Sequence, residues 1–178
     1  MALAGWLDTG ELDLAVTMVL DDNVEPGDVL LWSDELVWAH SSSGDFSRLD
    51  RVPLVTFGRR CFFGAVAAEL LTRADIAFDV ILENPSNYGV QLALASGAGI
   101  ALINRRLLTD QHTEWDCPPS VGPAPGLRYV IRTAAPEPSE LVQMMVDQIR
   151  IAFTSSLLKY ASPLDVVSAV DATQLVGA

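Results

Sequence analysis

Basic side chains are scarce in this 178-residue chain: 11 lysines and arginines stand against 23 aspartates and glutamates, for a formal net charge of −12. An acidic surface repels the phosphate backbone of nucleic acids, so we expect no DNA binding by these residues alone. No apolar run approaches the ~20 residues of a membrane-spanning helix. The start, MALAGWLDTGELDLAV, lacks the basic segment of a signal peptide. We therefore expect a cytoplasmic protein without membrane contact.

Side chains for metal or redox chemistry are also few. Cys61 and Cys117 have neither metal-binding nor redox spacing, and His40 and His112 stand apart from each other and from acidic clusters. G-x-S-x-G, phosphate-loop and paired-carboxylate motifs are missing. The sequence predicts no metal site, no cofactor and no enzymatic activity.

Half of the residues are hydrophobic, as in a folded globular chain. Apolar runs, helical periodicity and turn residues predict strands that alternate with helices, and hence a largely parallel sheet covered by helices. The clearest α/β block consists of the strand Val52–Phe57, a helix at about Arg60–Arg73, the strand Phe78–Leu82, a helix over Asn87–Ala95 and the strand Gly99–Ile103.

Two flanks surround this block: the strands Leu12–Val16 and Val29–His40 before it, and the strand Leu127–Thr133 and a long helix over Ser139–Tyr160 after it. Since the flanks can only pack with each other, we expect two lobes and two crossings of the chain between them. The crossings are predicted near Glu35–His40 and Gly99–Ile103. The first lobe would hold residues 1–38 and 104–160, the second 39–103, and 161–178 would form a C-terminal tail.

Two short stretches connect the predicted elements. The serine run Ser41–Gly44 is interpreted as a flexible crossover rather than a hydroxyl-lined ligand loop. Gly97 or Gly99 is expected to take the left-handed position that ends a helix. The GAG order is helix–glycine–strand, which is the reverse of a dinucleotide-binding motif.

Four ordered segments carry a family resemblance: GELDLAVT, DELVWAHS, VPLVTFGRRCFF and ENPSNYGVQLALASGAGIALINRRLL. Together they resemble the effector-binding domain of LysR-type transcriptional regulators over roughly Gly10–Phe153. The phrase VTFGRRCFF is similar to the branch that includes the LrhA and HexA proteins. One departure is Ile103-Asn104, where the family usually has Leu-Pro.

The resemblance implies a two-lobed α/β fold of the type II periplasmic-binding-protein kind. Family domains begin with a strand, a helix and a second strand upstream of G-x-LD-x-A, and this chain starts within that helix. The first lobe is therefore expected to lack its opening strand-helix-strand. The family's DNA-binding helix-turn-helix is also outside this sequence, so contact with DNA would require an additional N-terminal domain.

The resemblance also implies a ligand site for a small-molecule effector between the lobes. Helix N-termini at the carboxyl ends of neighbouring strands favour an anion, and a carboxylate is the expected effector. The residues carried over by position are Thr17, Phe57, Gly58, Arg59, Arg60, Cys61, Glu83, Ser86 and Asn87.

Simpler interpretations remain for several of these residues. Thr17 also fits the end of a strand, Ser86 fits a helix N-cap, and Cys61 fits a small buried side chain. Arg59 and Arg60 fit equally well as solvent-exposed side chains.

The uncovered apolar surface beside Leu12–Val16 predicts a homodimer or higher homo-oligomer. An extracytoplasmic solute-binding protein of the same fold is the alternative function.

Overall fold

The computed structural model describes residues 2–46, 49–58 and 61–160. The chain forms two compact units, the first made of Met1–Asp34 with Gly126–Ala178 and the second of Glu35–Pro125. The strands are β1 Leu14–Leu20, β2 Val29–Ser41, β3 Val52–Thr56, β4 Phe78–Glu83, β5 Ala101–Asn104, β6 His112–Glu114 and β7 Gly126–Thr133. The α-helices are α1 Ala2–Asp8, α2 Phe62–Arg73, α3 Asn87–Ala95 and α4 Glu140–Tyr160. Among the described residues, none of the helices has both the length and the apolarity to cross a membrane.

In the first unit, β7 lies between β1 and β2. β1 and β7 pair antiparallel without a bulge, from Leu14 opposite Thr133 to Leu20 opposite Leu127. The predicted strand ended at Val16, and the observed strand is longer because Met18, Val19 and Leu20 also find partners on β7. The core of this unit contains buried apolar residues of β7 and α4, including Leu127, Val130, Ile131, Val142 and Val146.

Two arginines of β7 hold the loop between β1 and β2. Arg128 donates to the Asp21 carboxylate (2.5 Å) and also contacts the Ser33 hydroxyl. Arg132 forms a bidentate pair with Asp28 (2.7 and 2.6 Å) and a second ion pair with Glu25 (2.7 Å). The segment from Asp21 to Asp28 is therefore fixed to the sheet by charge-assisted hydrogen bonds.

In the second unit, β3 and β4 pair in parallel, and Ile100 adds a parallel bridge on the other side of β3. α2 connects β3 to β4, and α3 packs on β3. The apolar core combines residues of α3, β2, β3 and β5, namely Val37, Ala39, Val55, Val90, Ala93, Leu94, Ala101 and Ile103. The α/β organisation in two units agrees with the sequence prediction. The prediction of a largely parallel sheet is wrong, because the pairs β1–β7, β2–β5 and β2–β6 are antiparallel.

The C-terminal half of β2 pairs antiparallel with both β5 and β6. Arg105, directly after β5, donates to Glu35 of β2 (2.6 Å) and also pairs with Glu114 of β6. One guanidinium therefore links the three strands of this part of the second unit.

The chain changes units at 34/35 and at 125/126. The first position lies next to the predicted crossing at Glu35–His40, whereas the second lies about 20 residues beyond Gly99–Ile103. Residues 104–125 belong to the second unit because β6 pairs with β2 and the 3-10 helix Pro119–Val121 packs against α2. The predicted tail, residues 161–178, lies outside the described residues.

The two glycines after α3 have different roles. Gly97 adopts φ +76, and the N–H groups of Gly97 and Ala98 donate to the carbonyls of Leu94 (2.8 Å) and Ala93 (3.0 Å). This pair of bonds is the Schellman helix ending, as expected for one of the glycines. Gly99 instead permits a close approach of two backbones, since a Cβ on it would lie 2.2 Å from the Pro53 carbonyl oxygen.

The serine run does not begin as a flexible crossover. Ser41 is the last residue of β2 and is buried. Its hydroxyl donates to the Ala95 carbonyl (3.3 Å) and contacts the Ser43 hydroxyl (2.9 Å). The start of the run is thus part of the second unit's core, because a helix carbonyl is available to the buried hydroxyl.

Candidate functional site

The carboxyl ends of β3 and β4 meet at one edge of the second unit. Their parallel register places Thr56 opposite Glu83, and the Asn84 N–H donates to the Thr56 carbonyl (2.9 Å). Phe57 and Gly58 follow β3 directly, so the predicted residues Phe57, Gly58 and Glu83 lie at the same edge. Parallel pairing explains this arrangement, since neighbouring parallel strands end on the same side.

The N-terminus of α2 belongs to this edge. Cys61 occupies the N-cap position with an extended backbone, and its side chain forms no capping hydrogen bond. The Cys61 N–H donates to the Gly58 carbonyl (3.0 Å), and Gly58 has φ +125, which favours glycine. The first turn of α2 contains no acidic residue. The first N–H groups of the helix therefore keep their capacity to bind an anion.

The N-terminus of α3 lies after β4 at the same edge. Ser86 has the predicted N-cap position, but its hydroxyl forms no capping hydrogen bond. Its backbone N–H instead donates to the Asn84 side-chain oxygen (2.9 Å). Gly89 gives the Asn84 side chain room, because a Cβ there would lie 2.4 Å from it. α3 thus presents a second uncapped N-terminus, with Ser86 and Asn87 both exposed.

Thr56 is a polar residue of this edge that the sequence analysis did not identify. It is 4% exposed, and its hydroxyl has no hydrogen-bond partner. The hydroxyl faces α2, since a Cβ on Gly64 would lie 2.5 Å from Thr56 Oγ1 and 2.6 Å from the Gly58 oxygen. A buried hydroxyl without a partner is uncommon and costs free energy. In the sequence, the signal for Thr56 as a site residue was a single hydroxyl near the end of the apolar run VPLVTF.

The edge also contains aromatic and acidic groups. Phe57 packs against Phe63 of α2, with ring centroids 5.2 Å apart, and contacts the apolar core of the unit. Glu83 is exposed at the end of β4. An anion bound here would experience attraction from two helix N-termini and repulsion from this carboxylate.

The remaining predicted site residues are placed differently. Thr17 lies in the middle of β1 in the first unit, opposite Val130, and is half-buried. The prediction that Thr17 follows the end of its strand is therefore wrong, because β1 continues to Leu20. Arg59 and Arg60 lie outside the described residues.

Two cavities that the structure forms within the units lie away from this edge. The cavity of the first unit, about 470 Å³, is bordered by α1 and by the Arg132–Asp28 pair. The cavity of the second unit, about 650 Å³, lies at the opposite ends of β3 and β4. Among the described residues, no group of three His, Cys, Asp or Glu side chains is arranged to hold a metal ion.

Comparison with solved structures identifies similar folds. The regulatory domain of HypT from Salmonella typhimurium in its apo form is 16% identical, with a TM-score of 0.65 over 86% of this chain and 78% of that chain. The Synechocystis PCC6803 CcmR regulatory domain in complex with 2-PG is 16% identical, with a TM-score of 0.61 over 85% and 78%.

A longer protein shows the same similarity. Vibrio fischeri DarR in complex with DNA is 16% identical, with a TM-score of 0.57 over 83% of this chain and 53% of that chain. This chain thus spans about half of the DarR chain. No curated protein sequence matches this chain.

The family model described as the LysR substrate binding domain matches residues 1–154. That range covers the second unit, most of the first unit and the four segments on which the resemblance was based. The chain belongs to the LysR substrate-binding domain family, the effector-binding domains of LysR-type transcriptional regulators.

Proposed function

We propose that this chain senses a small anionic effector, most simply a carboxylate, at the edge formed by the ends of β3 and β4. The observation that carries the proposal is the convergence of two uncapped helix N-termini, those of α2 and α3, on the ends of two parallel strands. Open α/β sheets bind ligands at this edge, and helix N-termini favour negative charge. The Synechocystis CcmR regulatory domain in complex with 2-PG supports a small-molecule ligand for a similar fold.

The eight residues of the second unit that were named from the sequence remain the proposed contacts, with Arg59 and Arg60 as the main charged groups. Arg59 and Arg60 precede the N-cap residue Cys61 in the sequence, and positive charge near a helix N-terminus is disfavoured by the helix dipole. An anionic ligand offsets this cost, because a guanidinium and backbone N–H groups bind a carboxylate together. Glu83 supplies an acceptor, which favours a carboxylate that also carries a hydrogen-bond donor.

Thermal unfolding tests this proposal directly. A panel of small carboxylates should raise the melting temperature of the whole chain, and the matching neutral amides should not. Arg59→Ala or Arg60→Ala should abolish the shift while leaving the unliganded melting temperature within a few degrees of the parent. Arg73→Ala is the matched control, since Arg73 is exposed at the other end of α2 and pairs with Glu69 along the helix. A shift that persists in both variants would place the site elsewhere.

In the regulator, effector binding would act on transcription by a population shift. An effector can change the balance between two conformations only by its difference in affinity for them.

DNA would be bound through a helix-turn-helix outside this sequence, as the DNA complex of DarR suggests, and the protein would work in the cytoplasm. In a gel-shift assay this chain alone should form no specific complex. A nanomolar complex at physiological salt would refute this assignment.

We also propose that the protein assembles as a homodimer or higher homo-oligomer. In the described part of the first unit, β1 pairs only with β7 and leaves its outer edge open, with Val16 45% exposed. Three apolar residues of the first unit were candidates for contact with a partner subunit. Trp6 is exposed (46%) and Leu14 is half-buried, whereas Leu7 is already buried within the unit. Light scattering should therefore give at least twice the monomer mass at micromolar concentration. A monomer throughout that range would contradict the proposal.

The phrase VTFGRRCFF supports assignment to the LrhA and HexA branch of the family. The alternative of an extracytoplasmic solute-binding protein is not favoured, because the matching family model describes LysR regulators. The effector panel for the thermal test can therefore be chosen for a regulator rather than for an uptake receptor.

A further inference from the structure

A second binding place exists in the second unit, far from the edge proposed for the effector. The cavity of about 650 Å³ lies at the amino ends of β3 and β4, bordered by Val52 and Ala77. The proposed effector edge lies at the carboxyl ends of the same strands. A five-residue strand spans roughly 16 Å at about 3.3 Å per residue, so one small ligand cannot occupy both places. The volume falls within the usual range of small-molecule pockets.

Aromatic and apolar side chains form much of the cavity wall. Phe46 and Trp115 both border it, and the Trp115 indole N–H donates to the Phe46 carbonyl (3.1 Å). Trp115 is further held by an edge-to-face contact with Trp38, with ring centroids 5.9 Å apart. The wall is therefore a fixed aromatic surface that suits the apolar body of a ligand.

Three carboxylates border the same cavity: Asp50, Asp75 and Asp116, all exposed. Within the described residues none of them forms a salt bridge. Arg51, the neighbour of Asp50, is already bound by both oxygens of Asp79 at 2.7 Å. Burial raises the pKa of the Cys117 thiol in the same wall, so the thiol stays neutral at pH 7. The fixed charge of the cavity wall in the described residues is thus negative.

From these observations we propose that this cavity binds an organic ammonium ion with an aromatic or apolar body. The carboxylates attract the charge, and the Phe46 and Trp115 side chains of the wall provide apolar contact. A bare metal ion fits less well, because these side chains do not converge on one point in the described structure. The site is independent of the proposed effector edge.

Isothermal titration of the whole chain with 2-phenylethylamine tests the proposal. The amine should bind, whereas 2-phenylethanol and phenylacetate, which keep the ring but lose or reverse the charge, should bind much more weakly. Asp50→Asn, Asp75→Asn and Asp116→Asn should each weaken binding by about 2- to 5-fold, as expected for exposed charge interactions. Asp110→Asn is the matched control, because Asp110 is exposed but does not border the cavity, and it should bind like the parent.

Two further titrations test whether charge attraction by the carboxylates holds the amine. Added salt should weaken binding, because the carboxylates are exposed and screened. Arg48 lies between Phe46 and Leu49 in the sequence and outside the described residues, so Arg48→Gln is also titrated and should bind at least as tightly as the parent. The proposal is overturned if the parent binds no amine at millimolar concentration, if 2-phenylethanol binds equally well, or if only Arg48→Gln binds.

Discussion

Replacing Arg132 by methionine is the sharpest test of what holds the first unit together. The Asp28 side chain is fully buried and receives two hydrogen bonds from Arg132, at 2.7 and 2.6 Å, and one from the Glu25 N–H at 2.8 Å. Breaking a buried ion pair costs about 3–5 kcal/mol because the remaining charge loses its partner. We expect about 3 kcal/mol for Arg132→Met, the low end of that range, since the Glu25 N–H remains.

The pH dependence of the free energy of unfolding provides an independent test of this ion pair. Burial acts to raise the pKa of Asp28, but the hydrogen bonds from Arg132 and Glu25 outweigh it, so the folded-state pKa lies below the usual value. In the parent this stabilisation is present above the unfolded-state pKa and is lost as the pH falls through the folded-state pKa. Without Arg132, burial should raise the folded-state pKa of Asp28, so lowering the pH should relieve the destabilisation in that variant.

Urea unfolding followed by circular dichroism measures both effects. Arg150→Met is the matched control, since Arg150 is exposed and lies 3.6 Å from Asp147, and its replacement should change stability by less than about 0.5 kcal/mol. The double variant Asp28→Asn/Arg132→Met should be more stable than Arg132→Met, because it contains no unpaired buried charge. A loss below about 1 kcal/mol, the value of a surface pair, would refute the reasoning.

Two further substitutions test the second unit by thermal unfolding. Gly99→Ala should destabilise it by about 3 kcal/mol, because the new Cβ would clash with the Pro53 carbonyl. The control Gly27→Ala should be nearly neutral, since there is open space around Gly27. Equal effects of the two substitutions would contradict the close approach of Gly99 to Pro53. Thr56→Val should leave stability unchanged or raise it by about 1 kcal/mol, because it removes a buried hydroxyl without a partner. A loss of stability would mean that the hydroxyl is satisfied in solution, and loss of the carboxylate response alone would make it an effector contact.

Elements with a strong local pattern were predictable from the sequence. Helical periodicity predicted α2, and four of its apolar residues at helical spacing are buried, namely Phe63, Val66, Ala67 and Leu71. The predicted start at about Arg60 was early, because the described helix begins at Phe62 after an extended Cys61. The end of α3 was predictable as well, since a left-handed glycine is a local requirement.

Features that depend on distant partners were not predictable in the same way. The full length of β1 depends on β7, more than 100 residues later, which supplies hydrogen-bond partners as far as Leu20. β6 was not predicted, because a three-residue strand has almost no periodicity, and it exists through its pairing with residues 39–41 of β2. The change of units at 125/126 depends on the same pairing, so it could not be read from the local pattern that suggested Gly99–Ile103.

The candidate site combines both kinds of feature. The two strand-to-helix turns are local, and sequence patterns identified them, including the N-cap position of Ser86. The capping bond that the serine predicted is missing, and the Ser86 N–H donates to the Asn84 side-chain oxygen. The preference for serine at the N-cap predicts where a helix starts. It does not determine whether a side chain accepts hydrogen bonds from the first N–H groups of that helix. In this chain both N-termini at the edge lack a side-chain cap, and in an acidic protein such N–H groups provide local positive charge where an anion can bind.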